Sequence, residues 1–233
     1  MEERSFKIFD PITKDKLTEH LIGRLPPNSA VLDPKSKFVK QFIDYCSIES
    51  DLEMVKRSIS ELGDIRIEEY EKYSKDDYED PILLIKRSLF VSTIIGYCRC
   101  FNSSKGRLSI NQDFIKRNFP NSLMNADNTI EFHNRIVEIR NNFIAHANNY
   151  HLEQVIAFIQ FEYIDGQLVS RMNYAEAANY SFHEDELENF MILSSFLMKQ
   201  VQNKKEKVSA KIVEEMTYDG LMKLGAETIQ KSR

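Results

Sequence analysis

Residues 140–146 of this 233-residue chain read RNNFIAH, and they place a fixed cation, an amide and a titratable imidazole within one short stretch. Arg140 supplies a permanent planar guanidinium whose fork of donors matches a phosphate. His146 can take or release a proton near neutrality. Together they are a minimal kit for phosphodiester chemistry, with Asn141 placed to orient either the imidazole or the phosphate. The spacing alone carries little weight. Twelve Arg and five His in a chain of this length, with four to six residues allowed between them, give roughly 0.8 accidental matches. The composite is much rarer: Asn141 directly after the Arg, the apolar pair Phe143 and Ile144, Ala145 before the His, and a position at the end of an amphipathic helical pattern.

Geometry constrains how the two residues cooperate. Six residues of ideal α-helix rise about 9 Å and turn by about 600°, so Arg140 and His146 do not share a face. Either the helix ends before His146, or the length of the Arg bridges the gap, or a second protomer completes the site. His133, seven residues before Arg140 and almost on its face, is a further candidate for the same cleft. The stretch GYCRCFNSSKGR adds Tyr97, Arg99, Phe101 and Arg107, residue types that stack on bases and hold backbone phosphate. Arg99 and Arg107 are therefore candidate RNA contacts. The bland readings are core aromatics and solvated cations, with Arg140 in a salt bridge to Asp127 or near Glu138, and His146 favoured by a helix C-terminus.

The elements that must position these residues are mostly helical. Only 7 Gly and 6 Pro punctuate the chain, too few for an all-β sandwich or barrel, while 15 Phe and 10 Tyr can fill a core without Trp. The expected class is mainly α. Asp33 and Pro34 read as a helix start for a segment reaching Leu62, with Gly63 as its stop. Residues 64–80 hold eight acids, three bases and three Tyr, a solvated connection or flap. A central helix is expected from Pro81 to about Phe101, a breaker cluster at 102–106, and a short helix near 112–118 ended by Pro120. The motif helix, capped by Asn128 or Thr129, carries a stripe of Phe132, Ile136, Ile139 and Phe143, and should fray at Asn148 and Asn149. Asp165-Gly166 signals a hairpin between about 152 and 174. Ser181 and Glu184 form a capping box for the last long helix. The resulting division is an irregular arm at 1–32 with one short helix at most, a helical domain at 33–203 with the hairpin inserted after the motif helix, and a helical tail at 204–233.

Other chemistries find little support. Three cysteines, Cys46, Cys98 and Cys100, lack CxxC spacing and read as reduced, partly buried thiols, so neither a metal nor another cofactor is expected. There is no Gly-rich phosphate loop, GxSxG elbow or metal-binding carboxylate pair. The start MEERSFKIFD has no apolar run, and the most apolar segment is broken by Lys86 and Arg87, so a cytoplasmic protein without a membrane span is expected. The net charge of -5 hides an asymmetry. Residues 81–150 hold nine Lys and Arg against four Asp and Glu, or +5, leaving -10 elsewhere. The basic part is the part that holds Arg140.

Arg140, Asn141 and His146 at the end of an amphipathic helix resemble the motif of the HEPN superfamily, helical domains whose members often carry Arg, a polar residue and then His. The resemblance covers about residues 33–199, although the motif spans only seven. It implies a HEPN-like helical bundle and a metal-independent endoribonuclease. Motifs from two protomers of a homodimer would line one cleft. RNA would be cleaved through 2′-OH attack to a 2′,3′-cyclic phosphate. It also implies roles in phage defence by abortive infection or in toxin-antitoxin pairs, with an antitoxin protein as a further partner. The alternative is an inactive module of the same fold that binds RNA, a nucleotide or a protein.

Overall fold

The computed structural model of the chain describes residues 5–9, 16–21, 32–33, 35–65, 81–102, 107–120, 122–123, 126–145, 153–164, 167–178 and 180–231. The elements in order are β1 (Ser5–Phe9), β2 (Lys16–Leu21), α1 (Lys37–Asp64), α2 (Pro81–Arg99), α3 (Gln112–Asn118) and α4 (Ala126–Ile139). A π-helical turn (Arg140–Ile144), β3 (Glu153–Ile164), β4 (Gln167–Ala178), α5 (Glu184–Glu215) and α6 (Tyr218–Lys231) complete it. The class is mainly α, with an antiparallel hairpin following the motif helix. Two compact units emerge, Asp44–Lys205 and a second made of Met1–Ile43 with Glu206–Arg233.

The unit Asp44–Lys205 holds the motif, and its core follows from apolar periodicity. On α1 the buried residues Ile48, Leu52, Val55, Ile59 and Leu62 recur every three or four positions, the spacing of one helical face. α4 buries Phe132, Ile136 and Ile139, and Phe143 and Ile144 of the π-helical turn pack against the same core. α5 adds Phe190, Leu193, Leu197 and Val201. α2 is central, burying Phe90, Thr93, Ile94, Tyr97 and Cys98. Gly96 permits this, because a Cβ there would lie 3.0 Å from Val55 Cγ2 and 3.1 Å from Met54 Cε. α1 and α2 thus pack closely at this point, and a Cβ would require the Val55 and Met54 side chains to give by a few tenths of an ångström.

Caps explain where helices begin, and α1 and α4 differ from the sequence expectation, α4 starting at Ala126 so that Asn128 and Thr129 lie inside it. The Lys35 N–H donates to Asp33 Oδ1 at 2.9 Å and the Ser36 N–H to the Asp33 carbonyl at 3.1 Å. Asp33 therefore closes a turn, and α1 begins only at Lys37. At the start of α5 a further capping contact lies two residues past the box expected at Ser181 and Glu184. The His183 N–H donates to Glu186 Oε2 at 2.9 Å, and the same carboxylate pairs with Arg135 of α4. α3 spans residues 112–118 as expected, capped by Asn111 Oδ1 accepting from the Asp113 N–H at 2.9 Å.

The β3–β4 register joins Ile164 to Gln167 and Glu153 to Ala178. The ribbon is four residues longer on its second strand than the sequence pattern reached. In the other unit, residues 5–9 and 16–21 form an antiparallel pair with an irregularity between Ile8 and Phe9. That corrects the expectation of an irregular arm with at most a short helix. α5 continues to Glu215, past the basic run at 199–207, and Val208 and Ile212 are buried there as is Val39. Thr217, at φ 51, makes the break before α6, and its Oγ1 accepts from the Gly220 N–H at 3.3 Å. The flap at 66–80, the breaker residues 103–106, the turn residues 165–166 and the expected fraying at Asn148 and Asn149 lie outside the described residues.

Candidate functional site

Arg140 opens the π-helical turn, in which the Ala145 N–H donates to the Arg140 carbonyl at 3.0 Å, five residues back. The α-helical turn of about 600° does not apply across this stretch, because a π-type bond takes one more residue per turn. Such turns interrupt helices mostly at single sites and often at functional ones. Contacts between α2 and α4 fix the surroundings. Tyr97 faces His133, Cys98 faces Ile136, and Phe90 reaches Phe143 of the turn through Tyr180.

The side chain of Arg140 is half-buried, and its Nη1 donates to Asn141 Oδ1 at 2.8 Å. The amide is neutral, so the guanidinium keeps its full charge. Among the described side chains no carboxylate pairs with it, and Glu138 does not; the Asp127 side chain lies outside the described set. Arg57, Arg99, Arg107, Arg117 and Arg135 contrast with it, each lying within ion-pair distance of an Asp or Glu. A partly desolvated cation without a counter-charge attracts an anion more strongly than one in open water. Its field reaches Cys98, although burial outweighs it and pushes that thiol up to about 11. His146 lies outside the described residues.

Arg99 and Arg107 are brought together, but on a carboxylate. Arg107 Nη2 donates to Asp51 Oδ2 at 2.6 Å and Arg99 Nη2 lies 3.6 Å from Asp51 Oδ1. Asp51 is buried, the Arg107 side chain is only 20% exposed and that of Arg99 is 52% exposed. Two cations share one anion, and only Arg99 offers a free face to solvent. Their neighbour Cys100 is driven up to about 12 by burial, reinforced by Asp51 and opposed by both arginines. Cys98 points toward α4 and Arg140, and Cys100 toward Ile48 of α1. The three thiols are free, and among the described residues no group of three His, Cys, Asp or Glu is placed to hold a metal.

His133 and Tyr97 correct the sequence reading. His133 is 3% exposed and lies between the rings of Tyr97 and Phe101, so in this structure it is a core histidine and presents nothing to RNA. Tyr97 Oη and His133 Nδ1 share a hydrogen bond of 2.8 Å, and burial raises the Tyr97 pKa well above its ordinary value, which keeps the phenol protonated. Tyr97 is fully buried and Phe101 packs against the core, so neither is a stacking platform for bases.

Burial lowers the His133 pKa to about 4. The unfolded chain, with an ordinary value of about 6.5, binds the extra proton between those limits. Stability from this group is complete above about pH 6.5 and is lost as pH falls toward 4, by at most about 3 kcal/mol. Urea midpoints of the wild type should fall faster over this window than those of His133→Leu; parallel curves would contradict the assignment.

Sequence reasoning missed Arg87. Its guanidinium lies 5.0 Å from the Tyr180 ring centre, and Tyr180 is 6.1 Å from Phe143 of the motif. The signal was available only as a Lys86-Arg87 interruption of an apolar run. No helix among the described residues is long and apolar enough to cross a membrane. Comparison with protein families, with curated proteins and with solved structures gives no match.

Proposed function

We propose that the chain is a HEPN-type, metal-independent endoribonuclease that acts as a homodimer. The observation that carries this reading is Arg140, a half-buried guanidinium in a π-helical turn whose hydrogen-bond partner is a neutral amide. The HEPN-like order of Arg140, Asn141 and His146 supports it, as does the mainly helical framework.

In this mechanism neutral His146 removes the proton from a ribose 2′-OH. The 2′-oxygen attacks the adjacent phosphorus, the bond to the 5′-oxygen breaks, and that oxygen takes a proton from solvent to leave as a 5′-OH while His146 releases its own to solvent. The other product end is a 2′,3′-cyclic phosphate. Arg140 stabilises the charge that builds on the phosphorane oxygens through donors already oriented by the fold. Asn141 holds the guanidinium in place, and Arg99 supplies an outlying contact to backbone phosphate. Phage defence or a toxin-antitoxin pair, with an antitoxin partner, is the setting this chemistry fits.

The test is cleavage of a mixed RNA pool by the purified chain in EDTA. Wild-type protein is expected to cut, and His146→Ala to lose about 10²–10⁴-fold in rate. Cleavage that survives in both His146→Ala and Arg140→Ala would sink the site assignment. RNA or partner binding without any cleavage would favour the inactive module.

A further inference from the structure

We propose that one face of the β3–β4 ribbon is the docking surface for a second copy of this chain. The register sets Ile159 opposite Met172, Phe161 opposite Ser170 and Tyr163 opposite Leu168. Side chains alternate along strands, so these six lie on one face. Five are large and apolar or aromatic, and each is between 51% and 77% exposed. The other face differs, because Phe158 is paired with Asn173, Ile164 with Gln167, Glu162 with Val169 and Gln160 with Arg171.

Among the described residues no helix packs extensively across the ribbon. A two-stranded ribbon is at best marginal in water, and a covered apolar face is what makes it independently stable. At roughly 200 Å² per large side chain, the exposed portions of the five come to about 600 Å² in one copy. That is at the upper end of what the largest apolar patch on a soluble monomer covers, a size that is often functional. Two such faces stacked would remove about 1,200 Å² from water, which reaches the lower bound for a specific interface.

The chemistry of the face selects the partner. The six residues include no charge, so an identical set meets them without repulsion about a two-fold axis, while Glu153 and Glu176 of the same alternation fall at the far end of the ribbon. RNA or an anionic membrane would call for Lys or Arg there. The one basic residue among the described part of the ribbon, Arg171, lies on the opposite face. The paired ribbons would form a small four-stranded, two-layer sandwich with Tyr163 hydroxyls free to reach its rim.

The homodimer is shared with the ribonuclease reading but the ribbon interface is not: a monomeric wild type overturns both, whereas a dimer that persists when the face is charged by substitution overturns the ribbon interface alone. Sedimentation equilibrium of the full chain tests it with Phe161→Glu/Leu168→Glu and, as a control on the other face, Gln160→Glu. Wild type and control are expected to be dimers at micromolar concentration, also in 1 M NaCl, since apolar contacts are not screened. The double variant should dissociate with its helical circular dichroism unchanged, its dimer Kd raised on the order of 100-fold. A wild type monomeric at 100 µM, or a dimer that persists in the double variant, would overturn the proposal. So would a monomer whose binding to anionic vesicles or RNA falls in the double variant, which assigns the face to that ligand.

Discussion

Replacing Arg140 by alanine should lower kcat for RNA cleavage by about 10²–10³-fold, the loss seen when one oriented donor to a developing oxyanion is removed. The guanidinium is bound to the neutral Asn141 amide and to no carboxylate among the described side chains, so little folding energy depends on its charge. The thermal midpoint should move by the amount of an ordinary surface substitution, about 0.5 kcal/mol in stability. Arg140→Lys should remain at least about tenfold below wild type, since an ammonium keeps the charge but not the two-pronged fork. Steady-state kinetics on a short RNA, with thermal melts of the same samples, separates these effects. Equal losses of activity and stability would mean that Arg140 is structural.

Phe190→Ala should be the most destabilising single truncation in the core, costing about 3–5 kcal/mol. Its ring sits 5.0 Å from Tyr97, 5.4 Å from Phe132 and 5.6 Å from Phe182, centroid to centroid, and is nearly perpendicular to each. These edge-to-face contacts join α2, α4 and α5 at one point, and each is worth about 0.5–1.5 kcal/mol beyond the area it buries. The side chain is fully buried, so water cannot repair the hole. Chemical denaturation should show the loss as a lower midpoint. Because Tyr97 also orients His133, near-ultraviolet circular dichroism should weaken with it. A loss below about 1 kcal/mol would show that the cluster collapses around the gap.

Local periodicity made much of the helical framework legible in sequence. The stripe Phe132, Ile136, Ile139 and Phe143 is the packed side of α4 and the π-helical turn. α3 matched because Asn111 and Pro120 are both local signals. What failed depended on distant partners. Glu186 joins the start of α5 to α4 because it also pairs with Arg135, fifty-one positions earlier in sequence. His133 stood as a cleft candidate against a favoured core reading, and Tyr97, 36 residues away, holds it in the core. Arg107 looked like a phosphate ligand until Asp51, 56 residues away, took it. The β1–β2 pair was hidden by its brevity and its irregular register at Ile8 and Phe9. In the candidate site the residue types were legible, but the π-type bond at Arg140 was not, since RNNFI contains neither Gly nor Pro to mark it.

The most direct measurement is cleavage, in EDTA, of one RNA oligonucleotide and of the same strand with a single 2′-deoxyribose at the mapped cut. The account predicts that the all-ribose strand yields 2′,3′-cyclic phosphate and 5′-OH ends, that the deoxy substitution abolishes that cut, and that His146→Ala leaves both strands intact. Cutting of the deoxy strand, products with 5′-phosphate ends, or activity that EDTA removes would contradict it.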